Sequence, residues 1–462
     1  MSETFDYDLV CIGSGPAGQR GAVQAAKLGR RVALIERRGT LGGMCLEKGT
    51  IPSKTFREAV LSLTAVGGRA KNGSSTRPTA RELLARVEDV VGREATVVAS
   101  QLGRNGVDVI CADASFVAPH RLMLRSNDGW REITTDRVLI ATGTTAAPPV
   151  GIVPDSDVVI TSDDISQLTR LPRSLIVVGA GVIGIEYASM FAALGVEVTV
   201  VDRRERPLEF LDGEIVDELM HQMRNRNVTF RLTEAVASVA VSQDAVRRAV
   251  VLLESGKRIV ADQVLISVGR SGATGTLGLE TVGLAPDDRG RLVVDAKFCT
   301  SVPYIYAAGD VIGYPSLAAT SSEQGRLAAC QAMSVGAPAM SPHFPIGIYA
   351  VPEISMVGST EQSLTAEKIP YEVGIARYRE IARGHILGDD SGLLKLLFHR
   401  ETRALLGVHI IGTGATELLH IGQAVLALNG GLEYFLSTVF NYPTLAECYK
   451  VAALNAANKL AA

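Results

Sequence analysis

"DLVCIGSGPAG" at residues 8–18 and "LIVVGAGVIG" at residues 175–184 are one device written twice. In each copy an apolar strand runs into a G-x-G-x-x-G turn: Gly13, Gly15 and Gly18 first, then Gly179, Gly181 and Gly184. A helix-forming stretch follows, and then a second strand that ends in an acid. "RVALIE" closes on Glu36 and "VEVTVVD" on Asp202, each twenty-three positions beyond the first glycine. The first glycine permits a tight turn, the second lets the backbone approach a pyrophosphate, and the third lets helix and strand pack closely. The free N–H groups and positive dipole end of the helix favour phosphate, and the acid can accept hydrogen bonds from ribose hydroxyls. A lone G-x-G-x-x-G is weak; strand, turn, helix and acid in order, twice, predict two dinucleotide sites.

One dinucleotide held permanently and one exchanging would make a redox pair. FAD and a nicotinamide nucleotide are the obvious partners, because flavin accepts a hydride from the nicotinamide ring. The 462 residues allow roughly three domains at about 150 residues each. A composition 47% hydrophobic and 21% charged suits a globular protein with large cores. A net charge of −3 argues against a nucleic-acid partner. The N-terminus "MSETFDYDLV" lacks a basic start and apolar core, and the apolar stretch 175–201 is broken by four glycines and two glutamates. About eighteen unbroken apolar residues are needed to span a membrane, so the expectation is a cytoplasmic protein with no membrane partner. Six cysteines, none in a C-x-x-C pair or a zinc-like Cys/His spacing, predict no metal site.

Two further stretches, "RVLIATG" ending at Gly143 and "YIYAAGDVIG" carrying Asp310, each read as a strand and a small-residue turn. Together with the two fingerprints and "MCLEKGTIPSK" (residues 44–54), their order resembles the pyridine nucleotide–disulfide oxidoreductase family along the whole chain. The resemblance implies an α/β fold: two Rossmann-like dinucleotide-binding domains plus a C-terminal α+β dimerisation domain. It assigns the first fingerprint to FAD and the second to NAD(H) or NADP(H). Asp310 would meet the ribityl chain, and Lys54 and Glu186 would form an ion pair beside the flavin N5.

Dithiol members of the family carry Cys-x4-Cys where this chain has Cys45 and Thr50. A hydroxyl cannot close a disulfide. They also carry a histidine before Pro-Thr near the C-terminus, with a glutamate four residues past that proline. Here "FNYPTLAECY" places Tyr442 in the histidine's position and keeps Glu447. Tyrosine titrates near pH 10, so it is a poor base for activating a thiol. The joint absence of sulfur and base suggests a reaction that needs neither, and hydride in and hydride out through flavin is such a reaction. The pairing of "GTIPSK" with "FNYPT" is similar to the soluble transhydrogenase branch of the family, which implies reversible hydride transfer between NADPH and NAD+. A flavin dehydrogenase passing electrons from NAD(P)H to quinones shares every motif and is the alternative. A peroxidase working through Cys45 would need an exposed thiol of low pKa.

After Asp202 comes "RRERP". Asp202 suits the free ribose of NAD(H), and Arg203 or Arg204 suits the 2′-phosphate of NADP(H). His409 and His420 have a structural or surface role as their default. The expected organisation is an FAD domain from 1–150 and 271–340, an NAD(P) domain from 151–270, and an interface domain from 341–462. Seams are expected at Leu171–Pro172 and "SVGRSG", and an exposed loop over 70–80. By the resemblance the last domain builds a homodimer, or a higher homo-oligomer based on it, and delivers "FNYPTLAE" to the partner's flavin.

Overall fold

A computed structural model describes residues 5–69, 78–147, 151–243 and 245–461. The strand Tyr7–Ile12 lies at the centre of the first sheet, parallel to Val32–Glu36 on one side and to Gly129–Ile140 on the other. Asp108–Cys111 extends this sheet beyond Val32–Glu36, and Ile305–Ala307 returns from far along the chain to pair in parallel with Gly129–Ile140. The central strands are apolar on both faces: helices cover Leu9, Cys11, Val32 and Leu34, and the antiparallel strands Asp113–Ala118 and Arg121–Ser126 cover Val10, Ile12, Ala33 and Ile35. The helices Pro16–Lys27 and Ala318–Ala332 meet through small residues: a Cβ on Gly325 would stand 2.0 Å from the Ala17 carbonyl oxygen.

The second sheet repeats the plan. Ser174–Val178 is central, with Glu197–Asp202 and Val228–Leu232 on one side and Gln263–Ile266 and Val159–Thr161 on the other, all parallel. Strand order therefore reverses beside the strand that leads into each glycine turn, Tyr7–Ile12 and Ser174–Val178. That reversal opens a crevice at the carboxyl ends, where ligands bind in doubly wound folds. The chain crosses between the two sheets at Thr144–Ala146 and Arg270–Gly272, which pair antiparallel. The C-terminal unit is a five-stranded antiparallel sheet packed by the helices Ala415–Ala427 and Glu447–Leu460. Its strands Leu393–His399 and Leu405–Ile411 pair antiparallel across the short turn at 400–404.

Of the loop expected over 70–80, residues 70–77 lie outside the described residues. Ala80 already begins the helix Ala80–Arg104, whose start is fixed by a reciprocal cap: the Glu82 amide donates to the Thr79 hydroxyl at 3.3 Å and the Thr79 amide to the Glu82 carboxylate at 2.7 Å. Among the described residues no helix is long and apolar enough to cross a membrane.

Candidate dinucleotide and redox site

The two glycine turns superimpose in their chemistry. Gly13 and Gly179 have φ of +106° and +107°, a region costly for any residue with a Cβ. The Gly13 amide donates to the Ile35 carbonyl and the Gly179 amide to the Val201 carbonyl, each at 2.8 Å, so the turn is pinned to the neighbouring strand. A Cβ on Gly18 would lie 1.8 Å from the Gly13 carbonyl oxygen, and one on Gly184 1.9 Å from that of Gly179. The middle glycines differ. Nothing lies within 4 Å of a Cβ built on Gly15, and only an Arg204 guanidinium nitrogen, at 4.0 Å, approaches one on Gly181. First and third glycines are thus demanded by the fold, while the second faces open space at a helix N-terminus. A pyrophosphate fits that space.

The first site carries further marks of a bound group. Beside the turn, at the end of Gly129–Ile140, the buried Thr142 hydroxyl has no hydrogen-bond partner. Asp310, just beyond Ile305–Ala307, is half-buried and has a long hydrogen bond, 3.4 Å, from the Ser321 hydroxyl. Burial pushes its carboxyl above the usual carboxylate range, against the pull of Arg270 and Arg291. A polyhydroxylated chain would supply donors to both groups. Glu36 is buried and already accepts from the Ser14 amide (3.0 Å), the Ser14 hydroxyl (2.5 Å) and the Arg38 amide (3.0 Å). Ser14 also accepts from the Gly42 amide at 3.0 Å, locking "GSG" to the segment before Cys45. Gly143 has φ +66° and no neighbour that a Cβ would meet, again leaving room beside the strand end.

Lys54 and Glu186, 132 positions apart, meet. Each sits about one turn into a helix that follows a glycine: Thr50–Arg69 after Gly49, and Val182–Ala193 after Gly181. Lys54 Nζ donates to both carboxylate oxygens of Glu186, at 2.9 and 2.8 Å. Glu186 is 3% exposed and also accepts from the Tyr349 amide at 2.8 Å. The Tyr349 ring lies under the ammonium, 4.9 Å from its centroid, within cation–π range. The next helical turn is tied to the same loop, since Arg57 Nε donates to the Ala350 carbonyl at 2.8 Å and its guanidinium pairs with buried Glu353 at 3.2 Å. Sequence reasoning missed Tyr349, Arg57 and Ser14. Only Ser14 left a signal, as a hydroxyl inside the glycine turn facing the strand-end acid.

All cysteines are free among the described residues. Cys45 is partly buried, and burial pushes its thiol up; the Thr50 hydroxyl and Lys54 lower it, and Asp310 adds to the rise. The net direction is upward, away from a reactive thiolate. Tyr442 and Glu447 are not brought to this centre within one chain. Tyr442 is 74% exposed, and Glu447 opens the last helix, its carboxylate accepting from the Thr444 amide at 3.4 Å.

At the second turn Asp202 is buried and its oxygens are engaged. They accept from the Ala180 amide (2.6 Å), the Arg204 amide (2.9 Å) and the Arg204 guanidinium (2.9 and 2.6 Å). Arg204 is therefore held as a planar clamp over the strand end, while Arg203 is exposed. Arg206 donates to the Gly213 carbonyl at 3.0 Å and pairs with Asp217. Of the two histidines, His409 is buried in a strand, bonded to the Ser359 carbonyl at 2.9 Å, and His420 lies on the surface beside Gln423. Neither lies at the centre described.

Comparison with known proteins agrees with this geometry. A soluble pyridine nucleotide transhydrogenase of Mycobacterium tuberculosis is 52% identical over 464 residues, covering 99% of this chain and 98% of its own. A protein of the same description from Photobacterium profundum is 44% identical, covering 98% of both chains. Among solved structures, LpdA from Mycobacterium tuberculosis matches with a TM-score of 0.89 at 27% identity, over 96% of this chain and 99% of that one. The HOCl-induced flavoprotein disulfide reductase RclA from Escherichia coli matches with a TM-score of 0.88 at 27% identity, over 97% and 99%. Residues 7–325 match the pyridine nucleotide-disulphide oxidoreductase family and residues 344–453 its dimerisation domain. With two glycine-turn sheets, a returning strand that carries Asp310 and a C-terminal sheet of this kind, the chain belongs to the pyridine nucleotide-disulphide oxidoreductase family.

Proposed function

We propose that this chain is an FAD-dependent enzyme that moves hydride reversibly between NADPH and NAD+ with no redox disulfide in the path. The observation that carries this reading is Thr50 beside Cys45, in a frame whose fingerprints, Asp310 and Lys54–Glu186 pair are all present. The curated relatives of 52% and 44% identity support it by their descriptions. FAD bound at the first turn would supply the hydride-accepting and hydride-returning chemistry.

The protein's own groups then have definite tasks. The Glu186 carboxylate and the Tyr349 ring face together fix the Lys54 ammonium, so a positive charge is held in one place at what the family resemblance makes the N5 edge of the flavin. At the adenosine end of the second site Asp202 and Arg204 satisfy each other; opened by an incoming nucleotide, the carboxylate suits ribose hydroxyls and the guanidinium a 2′-phosphate. Arg203, exposed alongside, adds positive charge for the phosphate. Because that phosphate is remote from the nicotinamide, NAD(H) and NADP(H) present the same reacting ring, and direction follows their concentrations. The outward-facing segment with Val439 (92% exposed) and Tyr442 serves the partner subunit of a homodimer, and the enzyme works in the cytoplasm.

The test is anaerobic transfer of deuterium from C4 of NADPH. Label recovered in NADH is the expected result. Unlabelled NADH throughout, with quinone readily reduced, would replace this reading with the quinone dehydrogenase.

A further inference from the structure

Away from both glycine turns, Lys395 has a fully buried side chain in the C-terminal sheet. It pairs with Asp212, itself fully buried, at 2.8 Å, with Glu214 at 3.0 Å and with Glu361. Such a residue is costly to bury, and a lysine placed there needs its acids in fixed positions. Two of those acids belong to the second nucleotide unit. Asp212 caps the helix Gly213–Asn225, accepting from the Glu214 amide at 3.2 Å, and also accepts from the Glu361 amide at 3.2 Å.

Residues 203–212 run from the strand end at Asp202 to this buried cap, and they carry Arg203, Arg204 and Arg206. The segment is a strap held at both ends and in the middle. The Leu208 amide donates to the Ala180 carbonyl, inside the "GAGVIG" turn, at 3.3 Å, and the Leu211 amide to the Leu208 carbonyl at 2.9 Å. Leu208 is fully buried, although its φ of +50° is unusual for leucine, so packing holds it in place. A continuous set of contacts thus joins the glycine turn, the arginine strap and a lysine of the C-terminal unit.

We propose that Lys395 is a positioning residue for pyridine-nucleotide selectivity: by holding Asp212 it fixes the strap that carries the arginines to the C-terminal unit. This rests on the reading that the second turn takes NAD(H) and NADP(H). Loosening the strap disturbs the guanidinium side of the site, which only the 2′-phosphate uses. Coupling of this kind typically changes affinity by about 5- to 150-fold.

The experiment titrates oxidised holoenzyme with NADP+ and, separately, NAD+, for the native protein, Lys395→Met, Lys395→Arg, Glu361→Gln and Gly181→Val. In Lys395→Met the affinity for NADP+ should fall about tenfold and that for NAD+ about threefold or less, within the usual range of such coupling. Lys395→Arg, which keeps the cation, should recover most of the loss. Glu361→Gln keeps the buried pair and should give a smaller shift in the same direction; it decides the matter if Lys395→Met does not fold. Unchanged NADP+/NAD+ selectivity in a folded Lys395→Met, even with lowered thermal stability, would overturn the proposal, as would unchanged selectivity in Glu361→Gln where that variant has to decide. Gly181→Val reports on the site itself: if it binds both nucleotides normally, the assignment of the second turn fails, independently of Lys395.

Discussion

Gly181→Ala and Gly184→Ala, three positions apart, should fail in opposite ways. At Gly184 the new Cβ would stand 1.9 Å from the Gly179 carbonyl oxygen and 2.7 Å from the Ser267 hydroxyl. Cβ atoms do not approach closer than about 3.0 Å, so helix Val182–Ala193 must retreat by about 1 Å, and overpacking of that kind costs about 3 kcal/mol. For a unit of this size such a loss lowers Tm by roughly 6–12 °C. At Gly181 the Cβ meets nothing nearer than 4.0 Å and φ is −78°, so the fold accepts it. The only structural cost is the weaker helix cap of alanine, about 1 kcal/mol. The methyl does, however, enter the space assigned to the pyrophosphate. Thermal unfolding and NADP+ titration of both proteins form the assay. Gly184→Ala should lose stability first, whereas Gly181→Ala should stay near native Tm and bind NADP+ at least about tenfold more weakly, a loss of 1.4 kcal/mol. Native affinity in Gly181→Ala would refute the argument that this glycine is kept for a ligand.

Three other outcomes follow from the same geometry. Cys45→Ser should keep turnover within about threefold, since a thiol pushed up by burial has no thiolate to contribute; steady-state rates check it. Lys54→Met strands a 3%-exposed carboxylate with the Tyr349 amide as its remaining donor. Because Lys54 is 25% exposed, the cost is below the range for fully buried pairs, about 2 kcal/mol, with part of it recovered in Lys54→Met/Glu186→Gln, as read by Tm. Burial alone would raise the Asp202 carboxyl, but the Arg204 guanidinium and the Ala180 and Arg204 amides outweigh it and hold it below 3.8. A depressed carboxylate stabilises the fold above its unfolded value and loses that contribution as pH falls through the folded one. Asp202→Asn should therefore be least stable relative to the native protein at neutral pH, by about 1–3 kcal/mol, with the gap closing below pH 3.8 in acid unfolding curves.

What the sequence revealed was what is local. Each glycine turn lies within ten residues of its strand and helix, and its acid falls at a fixed spacing, so periodicity and chemistry expose it. The Asp202–Arg204 clamp is equally short-range, but which arginine would close on the acid depends on side-chain geometry that spacing does not contain. Lys54 and Glu186 are 132 positions apart, and only the family resemblance joined them. Lys395 was invisible for a physical reason. Inside "GLLKLLF" a lone lysine reads as a solvent-facing residue, and the acids that make its burial tolerable come from 183 and 34 positions away. Tyr349 acts through its backbone amide and ring face, neither of which marks a sequence.

The most direct test of the central claim is an anaerobic NADPH titration of the purified yellow enzyme, followed by NAD+. With flavin as the sole redox centre, bleaching should end at two electrons per flavin, and NAD+ should restore the oxidised spectrum. An end point at four electrons per flavin would reveal a second centre in the protein and contradict the account.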